Sequence, residues 1–176
     1  VTDAANAVYE QADAVMLSGE TSIGKYPVQA VEVLDRIARR VERSGGANYA
    51  EKAAVANPRE KLAHAAVIMA NDLHARAIVV FTRYGHMPKL VSWLRPRFSM
   101  IFAFSDNPKV VRQMQLLWGV QPFELQFRDE PEKTVAEAIA VLKKDGLVQK
   151  EDWVVTVSHI LSKGQAIDSI QMRTVE

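Results

Sequence analysis

From residue 58 onward, short apolar runs alternate with stretches in which apolar residues recur every three or four positions. Runs at 77–81, 100–104 and 153–157 have the length and composition of buried strands, and 120–125 is a weaker one. Helical spacing appears at 58–73, where Leu62, Ala66, Met69 and Leu73 form one face, and at 87–94, stopped by Pro96. It recurs from Asn107-Pro108 through Leu117, with a stop at Gly119. It appears again from Pro131 to Lys144, with Val135, Ile139 and Leu142 inward. Asn57, Pro58 and Glu60 form a helix start: a capping side chain, a proline at the first position and a carboxylate at the third. Residues 170–175 alternate apolar with polar, as an antiparallel or edge strand does.

Strands separated by helices of about 10–15 residues require crossover connections, which give a mostly parallel sheet covered on both faces. The expected fold is therefore α/β: a three-layer αβα domain over 58–176, with a five-stranded sheet that includes an antiparallel edge strand. Ahead of it, residues 4–12 read as a short helix and 14–17 as a buried strand. A helix follows from Pro27, with Val31, Leu34, Ile37 or Ala38, and Val41 on one stripe and most of Arg36, Arg39, Arg40 and Arg43 off it. Ser44-Gly45-Gly46 ends that helix, and 44–58 reads as a linker. The chain opens at Val1 within a helical stretch, which reads as a start inside a longer fold.

Composition narrows the chemistry. With 48% apolar and 24% charged residues the chain is ordinary for a globular protein, and a net charge of +1 gives no bulk attraction to nucleic acid or membrane. There is no cysteine, so disulfide and thiolate chemistry are excluded. That fits a cytoplasmic protein. The longest apolar runs are far too short to span a bilayer, and no signal peptide is visible. His64, His74, His86 and His159 lack the spacing of a metal-binding cluster. Trp93, Trp118 and Trp153 lie in or beside predicted core elements, so packing is their expected role.

Open parallel sheets bind ligands beyond the carboxyl ends of their strands, which here selects residues 82–87, 105–107 and 158–169. Thr82-Arg83-Tyr84-Gly85-His86-Met87 joins a strand to a helix, where backbone N–H groups can hold a phosphate.

The run Asp13-Ala14-Val15-Met16-Leu17-Ser18-Gly19-Glu20-Thr21, then Gly24-Lys25-Tyr26-Pro27 and Ala30-Val31, closely resembles the pyruvate kinase family. Thr2-Asp3-Ala4-Ala5-Asn6-Ala7-Val8 resembles the same family, as do Arg95-Pro96 and Asn107-Pro108 further on. The resemblance implies that residues 1–50 are the last strand and helix of a (β/α)8 catalytic barrel, and 58–176 the C-terminal regulatory domain. It further implies an intact enzyme that transfers a phosphoryl group from phosphoenolpyruvate to ADP with Mg²⁺ and K⁺. Ser18 and Glu20 would then lie on the active-site rim, at the carboxyl end of the eighth barrel strand. The lysine, acidic metal ligands and arginine of that chemistry belong to earlier barrel strands, so the fragment by itself is expected to be inactive, with no metal or cofactor bound.

Thr82, Arg83, Gly85, His86, Lys163 and Gly164 are the candidate effector-binding residues that the resemblance implies. The fit to a sugar bisphosphate is poor. Tyr84 and Met87 stand where hydroxyl residues are expected, His159 replaces a usual glycine, and Asp168 carries the wrong sign for a phosphate. The expected partners are other copies of the chain, as dimer or tetramer through the C-terminal domain, and a phosphorylated small-molecule effector. Neither nucleic acid nor membrane is expected. The alternative is a free-standing, non-catalytic effector-binding or assembly module.

Overall fold

The computed structural model describes residues 1–52, 54–162 and 165–176. The chain divides into two compact units, Val1–Ala53 and Ala54–Glu176.

In the first unit, helix α1 (Thr2–Tyr9) and the single turn α2 (Gly19–Ser22) precede helix α3 (Pro27–Glu42). A 3₁₀ turn follows at Tyr49–Lys52. Pro27 opens α3 without loss, because its missing N–H is one of the four that a helix start leaves unpaired anyway. Ala47 N–H donates to the Tyr9 carbonyl at 2.9 Å, and Tyr49 N–H to the Gln11 side chain at 3.2 Å. These bonds tie the end of the unit to its start. The strand expected at 14–17 is not formed. A strand exists only as half of a ladder, and among the described residues of this unit no second strand is present to pair with it. None of the helices buries a residue, and Met16 is 87% exposed.

The second unit alternates helix and strand throughout. Its elements are α4 (Pro58–Asp72), β1 (Ala77–Phe81), α5 (His86–Trp93), β2 (Met100–Ser105), α6 (Pro108–Met114), β3 (Val120–Glu124), α7 (Pro131–Lys144), β4 (Trp153–Ser162) and β5 (Gln165–Thr174). The five strands form one sheet in the order β3-β2-β1-β4-β5. All neighbours are parallel except β4 and β5, which run antiparallel. The α/β expectation, mostly parallel with one antiparallel edge, is met.

The layer that a side chain faces alternates along the strands, because successive side chains point to opposite faces. Ile78, Val80, Ile101, Val155 and Val157 face one layer, where Ala63, Ala66, Val67 and Ala70 of α4 and Val91 of α5 cover them. Val110 and Met114 of α6 cover Ala103. Ala77, Val79, Phe81, Phe102, Phe104 and Val154 face the other layer, covered by Val135, Ala138 and Leu142 of α7. Phe104 stacks between Phe81 at 5.7 Å and Phe123 at 5.1 Å. Each fully buried side chain of this size contributes roughly 1.5–3 kcal/mol relative to exposure.

Several boundaries differ from the sequence expectation. The buried face of α4 centres on Ala63, Ala66, Val67 and Ala70, with Leu62, Met69 and Leu73 only partly covered. Small residues let the helix sit close to the sheet, and the larger ones fill its flanks. Helix α6 ends at Met114, because Leu116 and Leu117 N–H donate three residues back and tighten the chain into turns. Residues 158–162 and 165–169, expected within a loop, are strand. β4 runs to Ser162 and β5 begins at Gln165, so the two strands continue as an antiparallel pair past the end of the β1 pairing at Val157. An antiparallel pair satisfies its own backbone and needs no third strand. Trp93 and Trp153 are 44% and 41% exposed, so neither is a core residue. Trp118 instead carries the Arg95 guanidinium 4.4 Å above its ring.

The start of α4 is a complete capping box. Asn57 Oδ1 accepts from Glu60 N–H at 3.0 Å, and Glu60 Oε2 accepts from Ala56 N–H at 2.8 Å and Asn57 N–H at 3.3 Å. The Ala56 bond, then the Asn57 bond, hold the Glu60 carboxyl below its ordinary range. A group with a depressed folded pKa contributes fully above its unfolded value and loses its contribution as pH falls through the folded one. We expect Asn57→Ala to cost about 1 kcal/mol in chemical denaturation at neutral pH. The gap between wild type and Glu60→Gln should close on acidification; a constant gap across that range would show that Glu60 does not act as a charged cap.

Candidate functional site

Because β1, β2, β3 and β4 run the same way, their carboxyl ends lie along one edge of the sheet. The loop after β1 is fixed by three local features. Thr82 N–H donates to the Phe104 carbonyl at 2.9 Å, which ties the loop to β2. Thr82 Oγ1 accepts from Gly85 N–H at 2.9 Å, closing a tight turn. Gly85 then caps α5 with φ +78°, and a Cβ there would meet Val110 Cγ1 at 3.4 Å. Glycine is favoured by the left-handed backbone; the space around it would hold a Cβ at ordinary contact distance.

The structure therefore brings Thr82, Arg83, Gly85 and His86 together in one turn at the strand's carboxyl end. It also adds a residue that sequence reasoning missed. Asp106, in the loop after β2, lies 4.0 Å from Arg83 Nε, with side chains 30% and 63% exposed. The position of that loop beside the β1 loop was readable from the crossover pattern; the pairing itself was not. At this exposure the pair is weak, but it places a negative charge beside the loop's arginine.

This loop is poor at holding phosphate. The Gly85 N–H is used by Thr82. The third helical residue of α5 is Pro88, which has no N–H, so only His86 and Met87 of the first three carry a donor. Tyr84 is exposed and its ring lies 6.3 Å from that of His86. On β4 and β5, Ser158 and Ser169 hydroxyls bond each other at 3.0 Å. Lys163 and Gly164 lie outside the described residues.

Ser18 and Glu20 belong to the first unit. Ser18 precedes α2, and its N–H donates to Glu20 Oε2 at 3.0 Å, while Thr21 Oγ1 donates to the Ser18 carbonyl at 3.3 Å. The bond from its own backbone, then that from Ser18, lowers the Glu20 carboxyl from its ordinary range. An ionised carboxylate at the helix start is thus built by the local sequence. Among the described residues no group of three or more His, Asp or Glu converges to hold a metal. Glu20 with one hydroxyl does not by itself fit the octahedral oxygen shell of Mg²⁺. No helix among the described residues is long and apolar enough to cross a membrane.

A mostly parallel sheet with one antiparallel edge, in a chain whose first unit is helical, defines a protein of two units with an α/β second unit. The family model described as "Pyruvate kinase, alpha/beta domain" matches residues 60–170, and the one described as "Pyruvate kinase, barrel domain" matches residues 1–31. The chain belongs to the pyruvate kinase family. It is 38% identical to "Pyruvate kinase isozyme G, chloroplastic" of Ricinus communis, covering 100% of this chain and 43% of that protein. It is 34% identical to "Pyruvate kinase 2" of Synechocystis, covering 100% and 30%. It is 32% identical to the "Pyruvate kinase" of Methanocaldococcus jannaschii, covering 90% and 35%. The chain thus spans less than half the length of these relatives.

The geometry of the β1–α5 turn predicts weak binding of sugar bisphosphates. Such a ligand brings about four negative charges and needs several donors converging on each phosphate. Each missing charge-assisted bond costs roughly 1.5–3 kcal/mol, so two or three missing bonds weaken binding by orders of magnitude. Isothermal titration with fructose 1,6-bisphosphate should give no dissociation constant in the low micromolar range or tighter; finding one would overturn this reading of the loop.

Proposed function

We propose that this chain is the C-terminal part of a pyruvate kinase, the phosphotransferase that moves the phosphoryl group of phosphoenolpyruvate to ADP. Its second unit serves allosteric regulation and subunit assembly. The observation that carries this reading is the succession, in one chain, of a barrel-domain match over 1–31 and an α/β-domain match over 60–170. A free-standing effector module has no use for the first of these.

In the intact enzyme Ser18 and Glu20 stand on the active-site rim, and Mg²⁺ and K⁺ supply charge neutralisation for the transferred group. The part played by this chain's own residues is positioning. Glu20, ionised by its backbone bonds, fixes the turn that follows the barrel motif. The protein works in an aqueous compartment, which we take to be the cytoplasm; the plastid is the compartment named for several relatives.

Assembly is supported by the two edges of the sheet. β3 carries Pro122, which has no N–H to offer a further strand. β5, at the other end, is ten residues long. Beside it lies an open apolar depression of about 480 Å³ lined by Ala65, Ile68, Met69, Asp72, Leu73 and Met172. Ile68 and Met172 are 46% and 58% exposed there. A long unpaired edge next to an apolar surface favours self-association.

Two outcomes follow. A coupled assay of the 176-residue chain with phosphoenolpyruvate, ADP, Mg²⁺ and K⁺ should show no turnover above a no-protein control, because the earlier barrel strands are needed. Light scattering at high protein concentration should give at least a dimer mass, and Met172→Lys should shift it towards monomer. A clean monomer mass for the wild-type chain would refute assembly through this domain.

A further inference from the structure

Strand β5 is paired on one side only, so its order depends on what holds its two faces. The register places Met172 opposite Val155, on the α4 side, and Arg173 opposite Val154, on the α7 side. Arg173 reaches Glu132 in the first turn of α7, 41 residues away in sequence. The contact is two-pronged: Nη1 bonds Oε1, and Nη2 bonds Oε2 at 2.7 Å. Nη2 also bonds the Gln171 side chain. Nε of Arg173 is buried and has no hydrogen-bond partner among the described residues. The half-buried guanidinium is therefore compensated through Glu132 and Gln171. Gln171 is on the same strand, so Glu132 is the contact that ties this arginine to another element.

The far end of β5 is held separately. Val175 is buried between backbone bonds to Glu151 and Asp152, and Lys143 Nζ bonds the Glu176 carbonyl. Those contacts lie past Thr174 and do not hold the strand's body on the α7 side.

We propose that the Glu132–Arg173 pair is a lock that fixes the open edge strand β5 against α7, so that β5 presents an ordered edge to a second copy of the chain. Presentation to a second copy rests on the assembly reading above; the lock itself does not. With the pair closed, the fork of the guanidinium fixes the strand's rotation and keeps Met172 turned towards α4. With the carboxylate removed, a half-buried cation loses its counter-charge and swings towards water. The strand then frays from β4, and a frayed edge is a poor template for pairing. The lock also connects the end of the β3–α7 connection to the assembly edge through one contact.

Hydrogen exchange read by mass spectrometry on the full chain at low concentration tests the lock apart from assembly. Glu132→Gln keeps the shape and removes the charge. It should speed exchange in peptides of 165–174 about three- to tenfold, the range for a partly exposed forked ion pair, while α4 and β1 stay as in wild type. The charge-swapped double variant, Glu132→Arg with Arg173→Glu, should recover at least half of the lost protection. Light scattering of the same proteins at high concentration should show the dimer fraction falling in Glu132→Gln and recovering in the swap. Unchanged β5 exchange in Glu132→Gln, equal acceleration in α4 and β1, or a swap that recovers nothing would overturn the lock. A monomeric wild type whose Glu132→Gln variant still exchanges faster in β5 would overturn the assembly reading alone.

Discussion

The backbone of β1 cannot be satisfied alone. Its five residues, all buried, pair in parallel with β2 on one side and β4 on the other. Parallel strands in one sheet need crossovers, and crossovers put helices on the faces. From this constraint come the helices between strands, the two aliphatic and aromatic layers, and the absence of polar residues between Ala77 and Phe81. Burying a single unpaired peptide group there would cost as much as a lost hydrogen bond.

The same constraint locates the chemistry. Strands that all point one way deliver their connecting loops to one edge, so Arg83 and Asp106 come near each other although 23 positions separate them. The loop's geometry is then spent largely on itself: the Thr82 hydroxyl and Gly85 N–H close the turn, and Arg83 sits near Asp106. An anion arriving there finds the Gly85 N–H already engaged and a carboxylate beside the loop's arginine. At the opposite end of the strand order, β5 has one partner and is held by side chains instead of a second ladder.

The first unit shows what happens when the constraint is not met. Residues 14–17 have strand composition, yet no ladder forms within the unit, because strand formation is a property of a pair. Helix α3 forms regardless, since its hydrogen bonds close within the segment. Its Val28 and Val31 remain exposed. Local structure in this unit follows from local sequence, whereas burial does not.

Which features were legible in the sequence follows from the range of the interactions behind them. Helix starts were readable where a cap lies three residues from its partner, as at Asn57 and Glu60, or where a proline follows the cap, as at Asn107. Buried strands were readable from continuous apolar runs, and the family from the contiguous polar pattern of residues 13–31. The buried face of α4 was not, because alanine spacing reports proximity to a sheet only once the sheet is present. Nor was the extension of β4 to Ser162 and the start of β5 at Gln165, where mixed polar composition resembles a loop and only the mutual pairing of two strands makes it regular. Ion pairs Arg83–Asp106 and Glu132–Arg173 join residues 23 and 41 positions apart. Contacts within a few residues are written in the chain's own spacing; those that cross strands and layers were decided by tertiary structure, because only the packed sheet brings distant side chains within reach.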